Sequence, residues 1–392
     1  MEHWLRPIWE YAPALHGGIH PSLVEEFRKD IAALVVGASR DEDGVLRDVS
    51  AIKHALAERG YGAIDVPRHL GGHGCPPALQ AVLQFIAGYY DLDLRDAAHV
   101  GHGRLILDHG SPRTVARWAP RLLAGDLAGI AITEDIGGTN VRSLGTAGRP
   151  LRDGGRLLSG QKTYISRIAE AAVFVVFFRR EGEGGLEAAV VPADAEGVHH
   201  TPLRQDGLRG WSWGRLEFDS VHVPAEDLLI ADDIGGQALF TRHFDYYRPM
   251  VALTALGGAA AAFDTTLATL RERMRRKRIR RPLDSSLEEL GRSFIQLQSA
   301  TLAGVAAVNS VKHEDPLASA WARTAKAHGV ETAYRSVEKL QLLNGASSFE
   351  RGTALNKVLH DLRGYMYADG IHDAMLQSAG RRILHDAELE SV

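Results

Sequence analysis

The sequence predicts an α+β protein with a helical N-terminal domain, a middle β-barrel or sandwich domain and a C-terminal four-helix bundle. Three observations predict it. Apolar residues recur at helical spacing up to about residue 127, the period falls to two between about 128 and 233, and helical spacing returns from 234 to 392. A chain of 392 residues exceeds what one small core serves and suits two or three domains.

The N-terminal part, 1–127, reads as a run of helices. Leu23, Phe27, Ile31 and Leu34 share one face of a helix over 21–36, and Ile52 and Leu56 one over 49–59 that stops at Gly60. Residues 62–74 are a Pro/Gly-rich connector, 77–90 a third amphipathic helix, and Ser111 caps a helix that Pro112 begins. In the middle part, strands are expected at 129–134, 156–166, 171–180, 186–192 and 213–223. The apolar run Ala172 to Phe178 fits a strand buried on both faces. The C-terminal part, 234–392, reads as helices over 240–277, 287–310, 316–343 and 353–363, with a last one from His372. Gly257-Gly258 in the first of these allows close helix packing.

Composition narrows the function. With 45% hydrophobic and 24% charged residues, a net charge of −4 and a pI near 6.5, no global basic field calls for nucleic acid. Cys75 is the sole cysteine, so an intrachain disulfide and a cysteine metal cage are excluded, and a reducing, cytoplasmic location is expected. The first residues lack a signal-peptide pattern, and no window of about 18 apolar residues predicts a membrane span. There is no Gly-x-Gly-x-x-Gly after a strand, no P-loop, no His-Glu-x-x-His and no Gly-x-Ser-x-Gly. His99 and His102, one helical turn apart, lack a third ligand nearby in the chain, so no metal is expected; His199-His200 and His360-Asp361 read as surface or cap residues.

Two stretches carry chemistry. Ile130-Ala131-Ile132-Thr133-Glu134-Asp135-Ile136-Gly137-Gly138-Thr139-Asn140 is a short strand running into a Gly-Gly turn that brings bare N–H groups near a ligand. Ser159-Gly160-Gln161-Lys162-Thr163-Tyr164-Ile165-Ser166 enters a strand on which Tyr164 and Ser166 share a face. A ring and a hydroxyl side by side suit a flat heterocycle.

These stretches, in order with Val66-Pro67…Gly71-Gly72-His73-Gly74 and Phe218-Asp219-Ser220-Val221-His222-Val223-Pro224, resemble the acyl-CoA dehydrogenase family of flavoproteins over about residues 20–385. The resemblance implies FAD. Backbone at Ile132 and Thr133, and Gly138 with Thr139, would hold the flavin and its phosphates. Tyr164 stands where the family has Trp, and Ser166, on the N5 side, where it has Thr. It also implies a homotetramer or homodimer. Gln341-Leu342-Leu343-Asn344-Gly345 resembles the Gln-x-x-Gly-Gly that meets a neighbouring subunit's FAD, with Asn344 replacing a glycine. An arginine pairs with that flavin's pyrophosphate; counting from the two ends of the loop gives Arg273 or Arg276. The surrounding arginines have a second use as a docking patch for an acidic carrier protein.

Dehydrogenases of the family take a proton from the α-carbon of an acyl thioester with a carboxylate while hydride leaves the β-carbon for the flavin. Asp369 falls on the position of their Tyr-Glu-Gly-Thr glutamate, one methylene shorter, and Ile371 replaces the threonine. Three readings stay open for Asp369: the base, a helix cap, or a pocket residue of an oxygenase. Tyr247 occupies the other base position used in the family and cannot serve. Asp245 and Arg248 match substrate-side residues, with a thioester-side role expected for Arg248; the alternative is a surface ion pair. The expected function is therefore an FAD-dependent dehydrogenase of acyl-CoA or acyl-ACP in specialised metabolism, with an electron-transferring flavoprotein or oxygen as acceptor. The alternatives are a flavin monooxygenase on the same fold and a non-catalytic thioester-binding relative.

Overall fold

The computed structural model of the chain describes residues 1–11, 21–135, 144–182, 185–229, 235–312 and 315–385. The helices among them are α1 (Glu2–Arg6), α2 (Pro21–Gly37), α3 (Val49–Glu58), α4 (Pro77–Tyr90), α5 (Gly103–His109), α6 (Pro112–Leu123), α7 (Gly236–Arg275), α8 (Asp284–Lys312), α9 (Ala318–Asn344), α10 (Ala354–Tyr367) and α11 (His372–Leu384). Between α6 and α7 lie β1 (Leu127–Ala131), β2 (Ala147–Pro150), β3 (Arg156–Ser166), β4 (Ala171–Arg180), β5 (Leu186–Pro192), β6 (Val198–Pro202) and β7 (Trp213–Val223). The helix–β–helix order is as expected. The turn at Ser111 also holds: its hydroxyl accepts the Thr114 amide at 3.2 Å and caps α6. Helix α1 and strands β2 and β6 were not anticipated.

The strands form one seven-stranded sheet in the order β1-β4-β2-β3-β7-β6, with β5 added on β4. Strand β4 pairs parallel with β1 and β2 and antiparallel with β5. Its alternation explains the uninterrupted apolar run. Val173, Val175 and Phe177 face a cluster shared with Leu105, Ile106, Trp118 and Leu122 of α5 and α6. Phe174, Val176 and Phe178 face the core of the β domain with Leu158, Leu216 and Val221. A central strand serving two cores leaves no polar face.

A third core joins the N-terminal helices to the C-terminal bundle. The contact between α4 and α7 depends on glycine at both surfaces. A Cβ on Gly88 would stand 2.0 Å from the Thr254 carbonyl oxygen, and one on Gly257 2.0 Å from that of Phe85. Helix α7 contains an 18-residue window of mean hydropathy 1.4, apolar enough by length and composition to cross a membrane, which the sequence reading did not anticipate. That window is 72% buried within the chain, so its apolar side chains serve this core.

Candidate functional site

The two chemistry-bearing stretches are tied together by a buried ion pair. Lys162 of β3 is fully buried, and its Nζ donates to the Ile132 carbonyl at 3.0 Å and to Glu134 Oε1 at 2.8 Å. Glu134 also accepts the amides of Gly145 at 2.6 Å and Thr146 at 2.9 Å. Burial works against the Glu134 charge, but Lys162 and these amides outweigh it and hold the carboxyl below its usual value. Burial pushes the Lys162 ammonium down to about 8, with Glu134 opposing. The Thr163 amide donates to the Thr133 carbonyl at 2.8 Å. Neither Lys162 nor Glu134 was singled out from the sequence. The signal was present, because a lysine inside one motif and a glutamate inside the other needed only to be paired.

Beyond Lys162 the strand is not regular, which corrects the expectation of simple alternation. The β3–β7 register breaks between Lys162 and Ile165, Lys162 and Thr163 are both buried, and Tyr164 takes a φ of 63°. The bulge turns the Tyr164 ring outward, 52% exposed, and lays it on Trp213 with centroids 5.2 Å apart and planes 22° from parallel. Ser166 follows, half-buried. At Arg167 (φ 65°) the chain is pinned again. Its amide donates to the Ser212 carbonyl at 2.6 Å, and its guanidinium pairs with Asp96 at 2.7 Å. An exposed flat aromatic platform therefore lies beside Thr133, whose amide has no hydrogen-bond partner among the described residues, and beside the buried Thr163 hydroxyl, which also lacks one. These features fit a flavin ring. Gly138 and Thr139 lie outside the described residues.

Asp369 is delivered from the other end of the chain by α10. Inside that helix, Lys357 Nζ is held by Asp91 at 2.8 Å, Asp93 at 3.0 Å and Asp361 at 2.6 Å, and the Tyr365 hydroxyl donates to the Leu92 carbonyl at 3.0 Å. Asp361 is thus buried and not a surface or cap residue, because it completes this cluster and accepts the Leu208 amide at 2.6 Å. The three carboxylates are grouped closely enough to hold a metal ion, but the lysine ammonium occupies their centre.

Two residues past α10, Asp369 adopts a φ of 55°. Its carbonyl accepts Arg248 Nε at 3.1 Å, and the next carbonyl, of Gly370, accepts Lys326 Nζ at 3.0 Å. The Asp369 carboxyl itself has no hydrogen bond among the described residues. Burial raises its pKa, opposed by the charges of Lys326, Arg248, Arg167 and Arg95. Arg167 follows directly on β3, so the carboxyl lies within electrostatic reach of the end of the Tyr164 strand. Arg248 and Asp245 are both buried, 3.0 Å apart, with Arg323 3.6 Å from the same carboxyl oxygen. Their pairing is therefore not a surface one. Lys326, fully buried, was missed in the sequence, where nothing sets it apart from Lys339 of the same helix α9.

The basic run after α7 separates its two candidate arginines. Arg273 Nη1 donates to the Leu343 carbonyl at 3.1 Å, and Nη2 donates to that of Asn344. Arg276 pairs instead with Glu272 on its own helix. Both line an open groove of about 450 Å³ with Thr265, Thr269 and Arg278. Asn344 turns its side chain inward, donating to Thr266 Oγ1 at 2.7 Å and the Leu340 carbonyl at 2.8 Å, so it is accommodated as a helix-end residue. Gly345 follows at a φ of 74°, and Gln341 donates to the Leu355 carbonyl at 3.3 Å.

Among the described residues, His99 and His102 join no group of three metal-ligating side chains. His102 Nδ1 meets His243 Nε2 of α7 at 2.9 Å, supplying the neighbour the sequence could not show. His99, however, has both ring nitrogens occupied, by the Arg95 carbonyl at 2.8 Å and the Gly101 amide at 2.6 Å.

Comparison with known proteins agrees with this architecture. Residues 129–221 match the acyl-CoA dehydrogenase middle domain and 235–384 the acyl-CoA dehydrogenase C-terminal domain, together more than half of the chain. The chain belongs to the acyl-CoA dehydrogenase family. The bovine (Bos taurus) mitochondrial very long-chain specific acyl-CoA dehydrogenase is 24% identical over 388 residues, 91% of this chain and 58% of that protein. The chain thus spans little more than half the length of this relative. A glutaryl-CoA dehydrogenase from Mycobacterium smegmatis in complex with FADH2 shares the fold at a TM-score of 0.83 and 18% identity, over 97% of this chain and 98% of that one. The prolyl acyl carrier protein oxidase AnaB does so at 0.80 and 18%, over 93% and 99%.

Proposed function

We propose that the chain is an FAD-dependent acyl-thioester dehydrogenase. The observation that carries this reading is the Asp369 carboxyl: free of hydrogen bonds among the described residues, raised by burial, and ringed by cations that still favour its ionised form. A carboxylate so placed is suited to accept a proton from carbon, because no hydrogen bond must be broken first. Ile132, Thr133, Tyr164 and Ser166 would hold the flavin ring, with Gly138 and Thr139 toward its phosphates. FAD, when bound, supplies the acceptor for the hydride. Arg273, with Gln341, Asn344 and Gly345, would meet the pyrophosphate of the flavin held by a second copy in a homodimer or homotetramer. Arg248 uses Nε and Nη1 within the protein, which leaves Nη2 for the thioester side, and Asp245 fixes its guanidinium.

The acyl group is carried by CoA or by an acyl carrier protein. The exposed arginines between 271 and 281 favour an acidic carrier, and the shared fold of AnaB, a prolyl acyl carrier protein oxidase, makes that arm worth testing. Electrons pass on to an electron-transferring flavoprotein or oxygen. The test is the visible spectrum of the purified protein with FAD, followed by anaerobic addition of one acyl group on CoA and on carrier protein. Bleaching by either supports the reading. A protein that gains no flavin spectrum, or a flavin that stays oxidised with every thioester, overturns it; oxygen uptake by the reduced flavin without thioester would favour the monooxygenase.

A further inference from the structure

Lys53, Lys162 and Lys326 are each 2% exposed or less. Burying an ammonium costs several kcal/mol unless something compensates. Lys53 is held by the carbonyls of Asp96 and His99, both at 2.9 Å, and Lys162 by Glu134. Lys326, like Lys53, has no carboxylate within hydrogen-bond distance among the described residues; its Nζ donates to the Gly370 carbonyl at 3.0 Å and reaches that of Met366 at 3.5 Å. Those two carbonyls bracket Asp369.

We propose that Lys326 is a positioning residue for Asp369: clamped across the 366–370 turn, its ammonium fixes that turn and supplies the charge against which the carboxyl takes up and releases a proton. The inference rests on Asp369 as the proton acceptor. Charged groups reach the carboxyl from four elements: Lys326 of α9, Arg248 of α7, Arg167 after β3 and Arg95 before α5. Three of these are answered by carboxylates. Arg248 pairs with Asp245 at 3.0 Å, Arg167 with Asp96 at 2.7 Å, and Arg95 stands 3.9 Å from Asp93. Lys326 forms no ion pair among the described residues, and of the four charges that oppose burial at Asp369 its own acts most strongly. Around Lys326 itself lie Arg248 and Glu331, with His372 beside Glu331 at 3.1 Å. Burial pushes the ammonium down to about 7 and Asp369 holds it up, so its charge changes near neutrality. A positive neighbour favours the carboxylate, so removing it raises the carboxyl's midpoint.

The test is a pH titration of the FAD-loaded protein by difference infrared spectroscopy, following the protonated-carboxyl band that Asp369→Asn removes. Lys326→Met is expected to raise the midpoint by about one pH unit or more, and Lys326→Arg to leave it near the wild-type value. Circular dichroism and flavin content establish that the variants fold; Lys326→Gln replaces the Met variant if that one does not. A folded neutral variant with an unmoved midpoint overturns the proposal, as does an Arg variant that shifts as far as Met, because a purely structural clamp would move stability alone. Should none of the three fold, the reciprocal measurement decides: Asp369→Asn lowers the Lys326 midpoint, read by NMR of labelled lysine, and an unchanged midpoint overturns the proposal. If no thioester reduces the flavin but the midpoint moves, the functional reading falls and the pairing survives. If thioesters reduce it and the midpoint stays, the pairing alone falls.

Discussion

A buried charge is tolerated where its partner is fixed, and Glu134 with Lys162 illustrates the consequence for single residues. Removing the carboxylate in Glu134→Ala strands a buried ammonium and two backbone amides. The expected cost is about 3 kcal/mol or more, measured as a fall in the denaturant midpoint. Loss of flavin should accompany it, since Lys162 also holds the Ile132 carbonyl. Asp369 is different, for its carboxyl bonds to no described residue. Asp369→Asn should leave flavin content and stability close to wild type while slowing thioester-driven bleaching by about 10²- to 10⁴-fold, read by stopped-flow absorbance.

At the scale of elements, α4 and α7 touch backbone to backbone through Gly88 and Gly257. Helix propensity alone makes Gly257→Ala stabilising by about 1 kcal/mol. The approach of 2.0 Å to the Phe85 carbonyl predicts the opposite sign, a loss of about 1–3 kcal/mol in thermal or urea unfolding. The loop after α7 makes a second prediction. Arg273→Ala weakens FAD retention, measured by equilibrium dialysis, whereas Arg276→Ala leaves it unchanged, because only Arg273 reaches the 343–344 carbonyls. Helix α4 was legible in the sequence, with its ends at Pro77 and Tyr90, but not as the amphipathic helix expected, since Ala78 to Gly88 are buried without a break. Strand β6 was not, because four of its five residues are exposed and it carries no alternation. Strand β2 was not, since it is four residues long and contains Gly148 and Pro150. The Tyr164 platform was legible as an aromatic near a hydroxyl. The bulge that turns it outward is set by the pairing with β7 and leaves no local mark. The Lys357 cluster was illegible for the same reason, two of its three partners, Asp93 and Asp91, lying 264 and 266 residues away.

Across the whole molecule, the buried histidines tie stability to pH. Burial pushes His99 down to about 4, against 6.5 for a free imidazole. As pH falls, the unfolded chain binds this proton first, so the stability His99 contributes is complete above about 6.5 and is lost down to about 4. The loss is on the order of 3 kcal/mol. His99→Gln should flatten that part of the urea-midpoint profile even where it lowers the profile as a whole. The larger union is the meeting of two sites more than 200 residues apart in sequence. The β3 strand presents Tyr164, α10 delivers Asp369, and Arg167 and Lys326 bring their charges to the junction. The most direct test of that account is anaerobic titration of the FAD-loaded wild type and Asp369→Asn with a panel of acyl thioesters. The account predicts that at least one thioester bleaches the wild-type flavin and that the variant keeps its flavin but does not bleach on the same timescale. A wild type that no thioester bleaches, or a variant that bleaches as fast as wild type, would contradict it.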